Sequence, residues 1–258
     1  MRLINLNIWG GKVYDPLLKF VDSNKDSVDF FCFQEVYKSD RSVITPGKFR
    51  SNILGELGKI LVDFDSFFSP LYHGRDFFAP VDYPLSHGSA IFWKKNFKPI
   101  DKGAIFVYRK ENDVGYFEEK QKADPPKHFQ YLVFDNFLII NFHGFWEPAP
   151  KYDTPQRFRQ TEIFLGFIAK YKKPKIAAGD FNLSMDTQSI TLIEKKLINL
   201  VREFRILTTR SLLYDEKYRL YDKFADYIFV SKDVKVKHFE VMKDEVSDHL
   251  PLSLEFEI

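Results

Sequence analysis

The segment Val28 to Gln34, VDFFCFQ, most restricts what this chain can fold into. Its nearly continuous apolar run reads as a strand buried on both faces. Such a strand needs a covering layer on each side, which points to layered architecture. Further strand-like runs cover 3–9, 66–72, 89–94, 98–108, 129–134, 137–142, 175–178, 225–231, 234–242 and 250–258. Asp135-Asn136 supplies a tight turn between two of them. Helices are fewer. Asp15-Pro16 opens one that stops near Lys25, with Asp as N-cap and Pro in the first turn. Residues 50–63 give a second, Thr154-Pro155 opens a third to about Tyr171, and a fourth lies near 188–198. The stretch 203–223 reads as irregular. With no repeat, low-complexity tract or linker, one domain over 1–258 is expected, a layered α/β sandwich.

Composition supports that reading and excludes several others. At 45% hydrophobic and 29% charged residues, the chain has a globular balance rather than a disordered one. The 28 Phe and 13 Tyr predict an aromatic-rich core. A single Cys excludes an intramolecular disulfide framework and a Cys-based zinc cluster. Lys and Arg number 38 against 36 Asp and Glu, so bulk positive charge does not hold this protein to nucleic acid. No apolar run approaches the roughly 18–20 residues of a membrane helix. The opening MRLINLNIWGG reads as a strand rather than a signal segment. A cytoplasmic protein without a membrane anchor is expected.

Polar residues that break the ends of apolar strands carry the chemical information. They occur at Asn7, Gln34-Glu35, His143, Asp180-Phe181-Asn182 and Asp248-His249. Strand ends at one sheet edge lie close in space, so these groups can converge. In KIAAGDFNLS, Asp180 and Asn182 are two apart and point to the same side of extended backbone, where they can orient a water or a phosphoryl oxygen. The same residues also suit a plain turn. Glu35 ends the buried strand and offers a hard oxygen ligand of the kind Mg²⁺ prefers, with Asn7 able to add an amide oxygen. A strand-terminating surface Glu is the alternative. Ser247-Asp248-His249 precedes the last strand. There Asp248 can bind metal while His249 faces a substrate, and Asp226 is a candidate to hold the imidazole tautomer.

Taken together, LNIWGG, FCFQEV, NFHGFW, TPQRFRQ, GDFNLS, DYIFVS and SDHLPL resemble, in order, the motifs of the endonuclease/exonuclease/phosphatase family. The resemblance implies a four-layered αββα sandwich, two mostly antiparallel sheets flanked by helices, with the site at one end of the sheets. It implies Mg²⁺- or Mn²⁺-dependent hydrolysis of phosphate esters. By position, Glu35 would ligate metal with Asn7 and Asp248 beside it, and Asp180 would orient and deprotonate the attacking water. Asn182 would hold phosphate or water, and His249, supported by Asp226, would stabilise phosphoryl charge. His143 would contact a phosphate oxygen, and Asn7 and Arg157 would bind substrate. The chain departs from the pattern at Trp9, where several family nucleases carry Asp, and in KFADYIF, which lacks the Arg that often precedes that strand.

Substrate choice lives in loops. Residues 202–223 interleave Arg202, Arg205, Arg210, Lys217, Arg219 and Lys223 with Tyr214, Tyr218 and Tyr221, which suits a phosphate backbone and unstacked bases. A solvated loop fits the same composition, because four acidic residues dilute its charge. A nuclease or phosphodiesterase acting on DNA or RNA is the expected function. A phosphoesterase on a small or lipid phosphate, or a catalytically silent scaffold, are the alternatives. Oligomeric state is not legible.

Overall fold

The computed structural model describes residues 1–117, 122–148 and 150–258. In chain order the first half contains β1 (Arg2–Asn7), α1 (Tyr14–Asn24), β2 (Phe30–Lys38), α2 (Ile53–Ile60), β3 (Phe64–His73) and β4 (Ser86–Lys94). Next come β5 (Asp101–Tyr108), the short ribbon β6 (Gly115–Phe117) and β7 (Lys122–Asp124), then β8 (Lys127–Val133), β9 (Leu138–His143) and α3 (Pro155–Ile168). The chain ends with β10 (Lys175–Asp180), α4 (Gln188–Glu194), β11 (Ile198–Asn199), α5 (Leu200–Glu203), α6 (Glu216–Arg219), β12 (Asp226–Val230), β13 (Lys235–Val241) and β14 (Leu252–Glu257).

These strands form two six-stranded sheets, ordered β13-β14-β1-β2-β4-β3 and β11-β12-β10-β9-β8-β5. Each sheet is antiparallel except for one central parallel pair, β1 with β2 in the first and β9 with β10 in the second. Strand alternation explains the double-sided burial of VDFFCFQ. Phe31 and Phe33 face outward and pack with Leu17, Val21, Ile53 and Leu57 of α1 and α2. Phe30 and Cys32 face inward and join the core of the second sheet. On the far side, α3 sets Phe164 against Phe129 and Phe142, with ring centroids 6.0 and 5.4 Å apart. The result is helices, sheet, sheet and helices, the αββα sandwich that the motifs implied.

The inter-sheet face changes character along its length. Leu3, Phe30, Ile139 and Ile176 fill one end with hydrocarbon. Further along β1, β2 and β9, amides take over at Asn5, Gln34 and Asn141. Gln34 Nε2 donates to Asn5 Oδ1 at 2.9 Å and to Asn141 Oδ1 at 2.5 Å, and Asn141 Nδ2 donates to Gln130 Oε1 at 3.0 Å. These buried amides bond one another across the gap between sheets, which offsets much of the cost of burying them, while Asn5 Nδ2 and Gln34 Oε1 are left without a partner. The next inward positions, Asn7, His143 and Asp180, lie at the sheet edge.

Several local expectations shift. The first helix begins at Tyr14 with Val13 as its N-cap and no side-chain cap bond, so Asp15 lies inside the first turn. Residues 50–63 shorten to α2, because the chain before Ile53 is used in turns that carry Arg50 N to Gly10 O at 2.9 Å. Thr154 does cap α3, its side chain accepting from Arg157 N at 3.3 Å. The 203–223 stretch contains the single-turn α6, capped by Asp215 accepting from Lys217 N at 3.0 Å. No helix among the described residues is long and apolar enough to cross a membrane.

Candidate active site

The two parallel strand pairs all end at one edge, and register fixes what they deliver there. Asn7 pairs with Gln34, and Asp180 pairs with both His143 and Asp226. A bulge between Phe33 and Val36 in β2 puts Glu35 at φ +57° and turns its carboxylate into the same space. The Gly179 before Asp180 is needed because a Cβ there would meet Phe142 O of β9 at 2.1 Å. Asn182 sits at φ +52°, a strained value for a non-glycine residue at a site that uses its side chain.

The side chains interlock. Asn7 Nδ2 donates to Glu35 Oε1 and to Asp180 Oδ2, both at 3.1 Å, and so bridges the two sheets. Its Oδ1 accepts from Trp9 N at 3.0 Å. Asn7 therefore presents its amide nitrogen to the carboxylates, whereas the sequence suggested its oxygen as a metal ligand. Asn182 N donates to Asp180 Oδ1 at 3.0 Å, which fixes that carboxylate from the other side. His249 Nδ1 pairs with Asp226 Oδ2 at 2.7 Å, and its Nε2 lies 3.9 Å from both Asp180 Oδ2 and Asp248 Oδ1. His143 Nε2 lies 3.9 Å from Glu35 Oε1. Asn7, Glu35, His143, Asp180, Asn182, Asp226, Asp248 and His249 thus converge. Arg157 does not. Its guanidinium is fully buried, 3.3 Å from Glu147 Oε1, and donates to Pro150 O and Tyr152 O at 2.9 and 2.6 Å. It holds the 144–153 loop and does not line the cavity, so a substrate-binding role is corrected to a supporting one.

Several cations were not singled out from the sequence. Lys127 Nζ donates to His143 Nε2 at 2.7 Å, and Arg210 Nη1 stands against the His249 ring, 2.5 Å from Nε2 and 3.2 Å from Nδ1. Lys151 Nζ donates to Asp222 Oδ2 at 2.9 Å. Lys12 lies over the rings of Trp9 and Phe49, 4.4 and 4.5 Å from their centroids. Lys127 and Lys151 stand alone in their sequence contexts, and only tertiary structure brings them to the site. Arg210 was visible merely as one basic residue in a mixed segment. A guanidinium does stand beside Asp226, although KFADYIF lacks one; it comes from a different segment.

Burial dominates the electrostatics. It pushes the Glu35 and Asp248 carboxyls above their usual range, opposed at Glu35 by Lys127 and the Asn7 hydrogen bond. Asp226 is raised to about 7 by burial, with Arg210 opposing. His249 is lowered to about 4 by burial and then by the charge of Arg210. Arg210 Nη1 is close to both ring nitrogens and so lies over the imidazole face, not on the Nε2 lone pair, while His249 Nδ1 pairs with Asp226.

The donor chemistry suits a hard divalent ion. Glu35, Asp180 and Asp248 line one cavity, and no thiolate is near, since the lone Cys32 is buried in the core. Asp180, Asp226 and His249 form the tightest acidic cluster, with ligand atoms within 4.8 Å of one another. In that cluster His249 Nδ1 is already paired with Asp226. Glu35, Asp180 and Asp248 are the carboxylates of the cavity that could hold such an ion.

A family model described as the Endonuclease/Exonuclease/phosphatase family matches residues 4–249. The chain belongs to the endonuclease/exonuclease/phosphatase family. Members of this family are hydrolases of phosphate esters and are generally dependent on divalent metal. No curated protein matches the sequence at a significant level. Among solved structures, a mannosyl-6-phosphatase of Bacteroides thetaiotaomicron VPI-5482 is similar at 17% identity, with TM-score 0.67 and 100% of both chains covered. The human Nocturnin catalytic domain with bound sulfate shares 16% identity at TM-score 0.62, covering 100% of this chain and 93% of that one. The D. rerio TDP2 humanized by 14 mutations shares 15% at TM-score 0.65, covering 100% and 99%. At these identities the likeness establishes the shared fold.

Proposed function

We propose that this family member is a divalent-metal-dependent phosphodiesterase acting on an unpaired nucleic-acid end or a nucleotide. The observation that carries this reading is the shape of the site. The carboxylate, imidazole and cation floor lies in a cavity of about 810 Å³ with Tyr214, Tyr218 and Tyr221 on its wall. That volume suits a small ligand or a few unstacked nucleotides rather than a length of duplex. The tyrosines offer faces on which a base can stack.

Asp180 is the general base in this reading. Asn7 and Asn182 fix its two oxygens, so it accepts a proton from a water held in line with the phosphorus. The new bond joins the water oxygen to phosphorus, and the ester P–O bond breaks. Glu35 and Asp248 would hold Mg²⁺ or Mn²⁺, which supplies Lewis-acid polarisation of a phosphoryl oxygen. Lys127 and His143 place positive and polar groups where negative charge develops.

A smaller phosphate ester is the second reading. The relative described as a mannosyl-6-phosphatase favours it, and a sugar phosphate fits the same cavity volume. One panel separates the two: single-stranded DNA, RNA, duplex DNA, nucleotides, mannose 6-phosphate and bis-p-nitrophenyl phosphate, each with Mg²⁺, Mn²⁺ or chelator. Metal-restored cleavage is expected, greatest on unpaired ends or nucleotides. Preference for the sugar phosphate would establish the second reading, and no cleavage of any ester would overturn both.

A further inference from the structure

Arg210 belongs to no strand, yet its backbone is stitched to the site. Leu250 N donates to Thr209 O at 3.0 Å and Ser211 N to Asp248 O at 3.2 Å, so residues 209–211 run beside 248–250. The Arg210 side chain lines the cavity although the residue is only 5% exposed. It lies over the ring of Tyr214, 4.2 Å from the centroid. Its Nη1 lies over the His249 ring, 2.5 Å from Nε2 and 3.2 Å from Nδ1, and its Nε is buried without a partner. Among the described residues no carboxylate forms an ion pair with it. Lys151 approaches from the 144–153 loop, 2% exposed, 5.8 Å from the centroid of the same Tyr214 ring.

Two buried cations sharing one aromatic ring repel each other, and a buried N–H without a partner is costly. Lys151 has Asp222, which also accepts from Tyr214 Oη at 3.1 Å. Arg210 touches an imidazole and a ring, and the charges of Asp226, Asp180 and Asp248 favour its charged form without pairing with its Nε. A planar donor fork with a free edge, held at a cavity wall, matches the oxygens of a phosphoryl group.

We propose that Arg210 and Lys151 form an anion clamp that binds non-bridging oxygens of the substrate's phosphoryl group, Arg210 through the Nε edge that has no partner in the free site. The proposal rests on the phosphoesterase reading above and names the groups that hold the substrate there. The 203–223 segment, which carries Arg210, Tyr214 and Asp222, is then the specificity element of the site.

The test uses inorganic phosphate as probe and the whole protein. Calorimetric titration with phosphate should show Arg210→Gln binding roughly 10–100-fold more weakly than wild type, the scale of lost charged hydrogen bonds. Arg210→Lys should recover only part, since an ammonium is a point donor. Lys151→Met should weaken binding as well, and it serves as the probe if Arg210→Gln melts at lower temperature than wild type. In ¹⁵N-labelled wild type, added phosphate should shift the Arg210 Nε resonance, since that N–H gains an acceptor it lacks in the free site. A purely structural Arg210 would not give this signature. Ester hydrolysis by a wild type whose phosphate affinity is unchanged by Arg210→Gln and Lys151→Met would overturn the clamp alone. A wild type that neither binds phosphate nor cleaves any ester would overturn the clamp and the reading beneath it.

Discussion

The amide of Asn7 touches a carboxylate from each sheet, and Asp180 is held at both oxygens by Asn7 and Asn182. Asp180→Asn keeps the shape and removes the base, although its amide NH2 then faces one of these two donors and one hydrogen bond is lost as well. Turnover should fall by about 10²–10⁴ from the lost base alone, with the melting temperature within a few degrees of wild type. Equal turnover would remove Asp180 from the reaction. Glu35→Gln should raise the Mg²⁺ or Mn²⁺ concentration needed for half-maximal activity at least tenfold, and an unchanged metal titration would assign the ion to other ligands. These residues were legible in the sequence because each interrupts an apolar strand at its end. Lys127 and Lys151 were not, and Arg210 stood out only as one of six basic residues in 202–223, because a cation in a mixed-charge sequence looks the same whether it is solvated or folded inward.

At the scale of elements, α3 and its flanking loop form a unit that supports the cavity from behind. Thr154 caps the helix, and the buried Arg157 on its first turn ties down the carbonyls of Pro150 and Tyr152, on either side of Lys151. Thr154→Ala should cost about 0.5–2 kcal/mol by loss of the cap, read as a shift of the denaturant midpoint at unchanged slope. The Thr-Pro start of α3 could be read from sequence because both residues act locally. The start of α1 could not be placed as well. Asp15-Pro16 looks like a cap, yet the 3₁₀ turn at Trp9–Gly11, with Gly10 at φ +61°, leads the chain into the helix before Asp15. The 203–223 segment was read as irregular for a real reason. Its order comes from pairing with residues 248–250 and from Asp222, contacts that no local pattern encodes.

For the molecule as a whole, the layered fold followed from alternation and from strands apolar on both faces, and the inter-sheet amides show why the pattern turns polar near the site. The same burial sets the response to acid. His128 has no partner at either nitrogen, and burial, with the charge of Lys127, lowers it to about 3; His87 and His143 are also held well below the ordinary value. The unfolded chain binds protons at histidine below about 6.5, while the folded one binds them only near 3 at His128. Stability should therefore fall as pH drops from about 6.5 towards 3, and His128→Leu should flatten part of that slope in melts taken across the range. A slope unchanged by the substitution would assign the acid sensitivity elsewhere.

The hydrogen bond from Asn7 Nδ2 to Asp180 Oδ2 joins strands that share no backbone ladder. Each sheet is knit by its own main-chain bonds, whereas apolar packing and side-chain bonds join the facing strands of the two sheets. A slight parting of the sheets would leave secondary structure intact and still pull Asp180 away from Asn7 and Glu35. Catalysis is thus a finer gauge of assembly than any spectrum of helix and strand. In a graded urea series, turnover should vanish at lower urea than the far-ultraviolet dichroism does. Coincident transitions would mean that the sheets separate only when each of them melts.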